Sequence, residues 1–448
     1  MTDHQTGRQA VSHFYALTKV LQVYDPKNEV VQNTAQKMID YIADSPLELL
    51  RVREYVFLNK ERLRFEIDGY ESLRFIHGRL AELQIKSLTF LPDVTRDEVV
   101  RFAAIFARDR DSFVKLFSSE GFGHIRIEYG EAEETVPEIR KSRERTMQRY
   151  FKALNVTKKL MQNLWAKQPT DSRAFRRVVF SLVDSLSEDE FGLLALAAIK
   201  NFDEYTYSHS LNVGVLSIAL GQRIGLSKLR LAHLGTAGML HDMGKVHIPK
   251  EVIDKPGALT DEEWEMMKGH TRFGVEEILK TRGADEIGLI SLMVSFQHHW
   301  NMDGTGYPER EDGQEQILFS RIVRICDTYD AMTTPRAYQT VPVLPHYALR
   351  VLWARRNTYF DPILVKVFTQ MLGIYPIGSC LELATGEVAV VTRQNPGCTD
   401  APVVAIVLDR NKQKSDGDTV DLAADKERKI ARAIYPEQYD INPGSYIM

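Results

Sequence analysis

A chain of 448 residues has only three cysteines, Cys326, Cys380 and Cys398. The number is odd and no two stand at a C-x-x-C spacing. A disulfide framework or a thiolate zinc site is therefore excluded, and reduced thiols in a reducing compartment are expected. Long apolar runs are also missing. Gly192 to Ile199 is a short apolar stretch, well under the roughly 18–20 residues of a membrane span. Met1 to Thr6 lacks the basic region and apolar stretch that open a secretory signal. These absences make a cytoplasmic protein with no membrane partner the expectation. Positive charge is not in excess: 57 Lys and Arg face 61 Asp and Glu, a net charge of -4. That excludes a surface built for a nucleic-acid polymer, so an anionic ligand has to be held by local positive charge. The chain shows no internal repeat and no low-complexity tract.

What is present is ordinary globular material, 44% hydrophobic and 26% charged, long enough for about two to four domains. Residues 1–135 read as an α+β domain. Its expected elements are a helical stretch over about 10–45 broken at Asp25-Pro26, strands over 54–58 and 62–66 around Asn59-Lys60, and a helix over 71–84. A strand from Ser87 to Leu91, a capping-box-like Thr95-Arg96-Asp97-Glu98 and an edge strand over 124–129 follow. Residues 136–180 open with dense charge and read as a linker with helices. Residues 181–372 are predominantly helical. Residues 373–448 are punctuated by Pro376, Gly378, Gly386, Pro396, Gly397 and Pro402 between runs such as 387–392 and 403–408, the pattern of a small β-rich module. The fold class expected is mainly α, a helical bundle with an α+β domain before it and a β-rich module after it.

Seven of the 12 histidines lie between His209 and His299. His241-Asp242 and His298-His299 are adjacent pairs, and a carboxylate beside an imidazole can share one metal ion or bridge two. His209 and His270 fall on expected helices. Asp327 follows the apolar run 322–326, where a carboxylate is costly unless paired or metal-bound. Seven nitrogen and oxygen ligands exceed what one four-coordinate ion uses. Two divalent ions less two carboxylates leave a charge of roughly +2, suited to a substrate carrying two phosphates.

His241-Asp242-Met243-Gly244-Lys245-Val246-His247-Ile248-Pro249 resembles the signature of the HD phosphohydrolase superfamily. Asp303-Gly304-Thr305-Gly306-Tyr307-Pro308 is similar to the added motif of its HD-GYP branch, as are the segments 255–260, 327–332 and 360–362. The resemblance covers about 180–372 and implies an all-helical catalytic domain around two iron or manganese ions that hydrolyses a cyclic dinucleotide, chiefly cyclic di-GMP. It implies one ion held by His209, His241, Asp242 and Asp327, and the other by Asp242, His270, His298 and His299. Lys245 then faces the scissile phosphate. Gly304, Gly306, Tyr307 and Pro308 form a substrate loop, with Tyr307 against a base, and Arg336 and Tyr338 contact phosphate and base. His233 and His247 are left to packing.

Three positions depart from the family pattern. Trp300 stands where Glu is common, Gln339 where many members have a basic residue, and Tyr205 where some carry a Glu for a third metal. Trp300 and Gln339 put the choice of base in question, so 3',3'-cyclic GMP-AMP is an alternative substrate. A non-catalytic dinucleotide receptor and a mononucleotide hydrolase compete with the phosphodiesterase reading. The flanking domains are expected to serve regulation or pairing into a homodimer.

Overall fold

A computed structural model describes residues 3–42, 46–52, 55–59, 61–62, 70–130, 137–168, 172–198, 205–282, 286–335, 341–395, 398–415 and 417–447. The chain divides into two compact units, Met1–Arg140 and Lys141–Met448.

In the first unit, helices α1 (Asp3–Val20), α2 (Glu29–Ile39), α3 (Tyr70–Glu82), α4 (Arg96–Phe106) and α5 (Arg110–Glu120) accompany strands β1 (Leu47–Val52), β2 (Tyr55–Leu58), β3 (Glu61–Arg62), β4 (Ile85–Phe90) and β5 (Ile125–Tyr129). The strands form one antiparallel sheet in the order β3-β2-β1-β4-β5, so Ile125–Tyr129 is the expected edge strand. The β2–β3 turn holds Asn59 at φ 48°; residues 63–66 of the expected second strand lie outside the described residues. Phe14, Phe90, Phe102, Phe106 and Phe113 are fully buried together and supply much of the core.

The expected capping box at Thr95 is present, with Thr95 and Glu98 exchanging hydrogen bonds. Glu98 also accepts from the Gly123 and His124 N–H groups at 2.9 and 3.1 Å and from the His124 ring at 2.9 Å. Burial opposes its ionisation, but the Thr95 and His124 hydrogen bonds prevail and lower its pKa from 4.5 to about 2. A lowered carboxylate stabilises the fold above its unfolded value and ceases to as pH falls from 4.5 towards about 2. Glu98→Gln should therefore cost about 1–3 kcal/mol at neutral pH and almost nothing near pH 2. Faster amide exchange across Arg96–Phe106 at pH 7 reads it.

The second unit begins with α6 (Pro137–Trp165), α7 (Ser172–Glu188) and α8 (Glu190–Ala198). The helices expected within 136–180 are α6 and the first part of α7, and α6 has a buried face. Ser142, Thr146, Tyr150, Ala153, Thr157 and Met161 are buried at helical spacing along α6. Tyr150, Ala153 and Leu160 join the core of the helical bundle with residues of α7. The charges of α6 lie beside this stripe, whose Ser and Thr members read as polar in sequence.

The bundle continues through α9 (Tyr205–Arg223), α10 (Lys228–Leu240), a 3-10 turn (Met243–His247), α11 (Lys250–Ile253), α12 (Asp261–Lys268), α13 (His270–Arg282), α14 (Glu286–Gln297), α15 (Leu318–Thr333), α16 (Pro345–Ala354) and α17 (Pro362–Leu372). Buried residues of α7, α9, α10, α15, α16 and α17 share one apolar core. Helices α8 and α14 have almost no polar face, as helices buried on most sides require. The β-rich module has β6 (Cys380–Leu383), β7 (Val388–Arg393), β8 (Val403–Leu408), β9 (Thr419–Asp421) and β10 (Ile430–Ile434), followed by α18 (Gly444–Ile447). These strands form an antiparallel sheet ordered β10-β6-β7-β8-β9. Ala195 and Phe191 of α8 pack with Ile377, Val388 and Ile434, so the module shares a core with the bundle. Among the described residues no helix is long and apolar enough to cross a membrane.

Candidate active site

Six elements of the bundle bring the seven expected residues to one place. His209 lies on α9, His241 ends α10, and Asp242 opens the 3-10 turn. His270 begins α13, His298 and His299 follow α14, and Asp327 is on α15. The Gln297 carboxamide oxygen accepts from Ile317 N–H at 3.0 Å and the Ser320 hydroxyl at 3.1 Å, which ties the end of α14 to the start of α15. Ser295 donates to the His241 carbonyl at 3.0 Å, joining α14 to α10.

Asp242 is the hub, with its side chain only 4% exposed. Its Oδ2 lies 3.2 Å from His241 Nε2, 3.8 Å from His209 Nε2 and 2.5 Å from Lys245 Nζ. Its Oδ1 lies 3.4 Å from His270 Nε2 and 3.8 Å from His298 Nε2. Asp327 Oδ1 is 3.2 Å from His209 Nε2 and 3.8 Å from His241 Nε2.

The other nitrogen of each ring settles what these contacts are. His241 Nδ1 donates to the Gly238 carbonyl at 2.6 Å, His270 Nδ1 to the Met267 carbonyl at 2.6 Å, and His298 Nδ1 to the Ser295 carbonyl at 2.9 Å. With its proton on Nδ1, each ring in its neutral form presents a lone pair at Nε2. His270 and His298 direct theirs at each other across 3.2 Å. His241 Nε2 and Asp242 Oδ1 are buried and make no hydrogen bond. Lone pairs converging on a carboxylate in a dry site repel one another unless a cation sits between them. The residues therefore fit a metal centre, and the described His and Asp groups that could hold an ion are His209/His241/Asp327, His241/Asp242/His298 and His270/His298/His299.

Three of the rings agree with this, while for His241 burial opposes a charge but Asp242 and Asp327 prevail and raise its pKa. Burial pushes His270 down to about 4, and burial and neighbouring imidazoles hold His298 and His299 far below the usual range. These rings are neutral at pH 7. Burial opposes the charge on Asp242, but His241 and Lys245 outweigh it and keep the carboxyl well below its usual range.

His299 is held differently. Its Nδ1 accepts from Arg324 Nη1 at 3.3 Å, and Tyr307 stacks on its ring at 4.4 Å. Tyr307 also meets Trp264 of α12 edge-on at 5.7 Å, so one face of the ring expected to receive a base is already covered. The loop that carries Tyr307 is fixed by its own backbone. Asn301 N–H donates to the Thr305 carbonyl at 2.9 Å, and Asp303 N–H to the Thr358 carbonyl at 2.8 Å. Gly306 has φ 105°, and a Cβ there would stand 2.2 Å from the His299 carbonyl oxygen, so only glycine fits. Gly304 is exposed at the turn.

Two expectations change here. Pro308 is buried and its carbonyl accepts from Trp300 Nε1 at 2.7 Å, so it anchors the loop and offers a ligand no surface. Trp300 is 1% exposed beneath that loop, with Arg310 over its ring. A side chain so placed supports Gly306 and Pro308 and does not read a base. Arg336, Tyr338 and Gln339 lie outside the described residues, as does the side chain of Tyr205. His233 is buried 3.8 Å from Glu286, and His247 pairs with Glu277 at 2.9 Å; neither belongs to the cluster.

Sequence reasoning missed Asp330 and Arg324. The Asp330 carboxylate accepts from His209 Nδ1 at 2.8 Å and so fixes that ring with Nε2 towards Asp327. Both sit three residues from Asp327 on α15, and that spacing was the available signal.

Gly244, between the Asp and Lys of the motif, meets the start of α13. A Cβ there would lie 1.9 Å from the His270 carbonyl oxygen and 2.3 Å from Gly274 N. Backbone atoms cannot move aside as a side chain can. Gly244→Ala should destabilise the bundle by about 2 kcal/mol or more and displace Lys245 and His270 together. A fall in the midpoint of thermal unfolding, with metal content reduced, is the expected reading.

A family model described as an HD domain matches residues 194–364. A cyclic di-GMP phosphodiesterase of Pseudomonas aeruginosa is 36% identical over 247 residues, 54% of this chain and 58% of its own. Through this region the chain is similar to an HD domain and to a cyclic di-GMP phosphodiesterase. A cyclic di-GMP phosphodiesterase of Thermotoga maritima is 30% identical over 187 residues, 41% of this chain and 50% of that protein. A 3'3'-cGAMP-specific phosphodiesterase of Vibrio cholerae is 30% identical over 173 residues, 39% of this chain and 33% of that protein. The chain thus spans between 33% and 58% of the length of these relatives. Residues 380–442 match a model described as a KOW domain associated with an HD domain, so the β-rich module is of a kind found beside HD domains.

Proposed function

We propose that this chain hydrolyses a phosphodiester bond of a cyclic dinucleotide, with cyclic di-GMP the leading substrate and a linear dinucleotide or GMP the product. The observation that carries the reading is the convergence of Nε2 lone pairs on the Asp242 carboxylate with the Lys245 ammonium beside it. His209, His241, Asp242 and Asp327 would hold one divalent ion, and Asp242, His270, His298 and His299 a second. Nitrogen with carboxylate donors suits iron or manganese. When bound, the pair supplies Lewis acidity towards a phosphate oxygen and acidifies the attacking water.

The remaining chemistry belongs to the chain. Lys245, with 22% of its side chain exposed, presents a cation to the scissile phosphate and stabilises charge on the departing oxygen. Asp330 keeps His209 oriented, and Tyr307 with Trp264 walls the approach. The similarity to a 3'3'-cGAMP-specific enzyme makes that dinucleotide the second candidate.

Metal-loaded protein incubated with cyclic di-GMP, 3'3'-cGAMP, 2',3'-cyclic mononucleotides and dNTPs, with products separated by chromatography, tests the proposal. Cleavage of a cyclic dinucleotide in preference to the mononucleotides supports it. Dinucleotide binding without cleavage at full metal occupancy favours a receptor, and cleavage of mononucleotides alone a different hydrolase.

A further inference from the structure

Helix α15 turns two arginines towards its surroundings, and they are treated differently. Arg321 pairs with Asp361 at 3.0 Å. Arg324, one turn before Asp327, has no carboxylate partner among the described residues. Its Nη1 donates to His299 Nδ1 at 3.3 Å and its Nη2 to the Asn301 carboxamide oxygen at 2.9 Å, while its Nε is buried without a hydrogen bond. The Phe360 ring lies under it at 5.6 Å. Arg355, five residues before Phe360, brings a second positive charge near Arg324.

Arg355 is exposed, rests over the Tyr359 ring at 4.8 Å, and likewise shows no carboxylate partner among the described residues. The turn that carries it is pinned to the tyrosine loop through Thr358 and Asp303 at 2.8 Å. A half-buried cation such as Arg324 beside a site for divalent ions is costly without an anion. The nearest carboxylate on α15, Asp327, is already committed to His209 and His241.

The tautomer of His299 adds a second argument. A neutral imidazole has one lone pair. If His299 binds an ion through Nδ1, that lone pair is used. If it binds through Nε2, the proton moves to Nδ1. Either way the hydrogen bond from Arg324 is lost, and its Nη1 turns free towards the open side of the site.

We propose that Arg324 and Arg355 form a subsite for the second, unhydrolysed phosphate of the cyclic dinucleotide, opposite the phosphate that Lys245 faces. This rests on the reading of the site as a cyclic-dinucleotide phosphodiesterase. It also gives metal occupancy a role in opening the subsite. The two guanidinium groups can each donate paired N–H groups to phosphate oxygens.

The test compares Arg324→Gln and Arg355→Gln with the unaltered protein on cyclic di-GMP and on bis(p-nitrophenyl) phosphate, a diester with a single phosphate. Metal content and the inhibition constant of the linear dinucleotide are measured alongside. Each substitution should lower kcat/KM for cyclic di-GMP by about 10–100-fold relative to the simple diester, and weaken the linear dinucleotide similarly. Arg355→Gln is the safer variant, since its side chain is exposed. Equal losses on both substrates would make Arg324 a support for His299 and overturn the subsite, as would unaltered discrimination. If the unaltered protein cleaves the simple diester but neither cleaves nor binds cyclic di-GMP, the functional reading falls and the subsite with it.

Discussion

Asp242→Asn should lose both ions and reduce turnover of cyclic di-GMP by at least about 10³-fold, an effect of roughly 4 kcal/mol on the barrier. Both oxygens of Asp242 are in use. Oδ2 faces His241 and Lys245, and Oδ1 faces His270 and His298. An amide keeps the shape but removes the negative charge and substitutes an N–H donor for one acceptor. That donor would point at imidazole lone pairs or at the Lys245 ammonium, where it cannot bridge two cations. Despite burial, His241 and Lys245 hold the carboxyl well below its usual range, so its surroundings favour an anion there. Elemental analysis of the purified variant should find little metal. Folding should persist, because the change leaves the apolar side chains of the bundle core, such as Leu211, Val215, Leu234 and Phe368, unaltered.

Lys245→Met should give the complementary result, with metal retained and kcat lower by about 10²–10³-fold, or about 2.7–4 kcal/mol. Lys245 contributes no lone pair to the metal cluster, since an ammonium only donates. It stands 2.5 Å from Asp242 Oδ2 with its side chain partly open to solvent, placed to meet charge that develops during reaction. Methionine fills a similar volume without that charge. The two variants together separate holding the ions from using them. Loss of metal in both would mean that Lys245 is needed to assemble the site, whereas full turnover by Lys245→Met would remove it from the chemistry.

The metal cluster was legible in the sequence because its members keep chemical identity whatever the fold: adjacent His-Asp and His-His pairs, and an aspartate behind an apolar run. The structure brings all seven together. The residues that orient them were less legible. Asp330 was visible within its motif, yet its role depends on facing His209 across 121 positions of chain. Trp300 shows the opposite failure. As a departure in sequence it suggests a role in base choice, but packing places it below the loop, with its indole N–H committed to Pro308.

At the level of fold, the apolar β-runs near the C-terminus and the capping box at Thr95 carry their own local signals. Strand β1, Leu-Glu-Leu-Leu-Arg-Val, does not, since its leucines suit a helix equally well and only pairing with β2 and β4 selects the strand. The buried face of helix α6 is hard to read in sequence for a related reason. Its buried stripe uses Ser142, Thr146 and Thr157, and Tyr150 gains its place by donating to Asn212 at 2.8 Å, one turn from His209.

The proposed function requires that one carboxylate, Asp242, organise two ions for phosphodiester hydrolysis. Titrating manganese or ferrous iron into metal-stripped protein, while counting bound ions per chain and the initial rate on cyclic di-GMP in the same samples, tests it most directly. The rate should stay low through the first equivalent and reach its plateau at two. A plateau at one equivalent, or no cleavage with two ions bound, would contradict it.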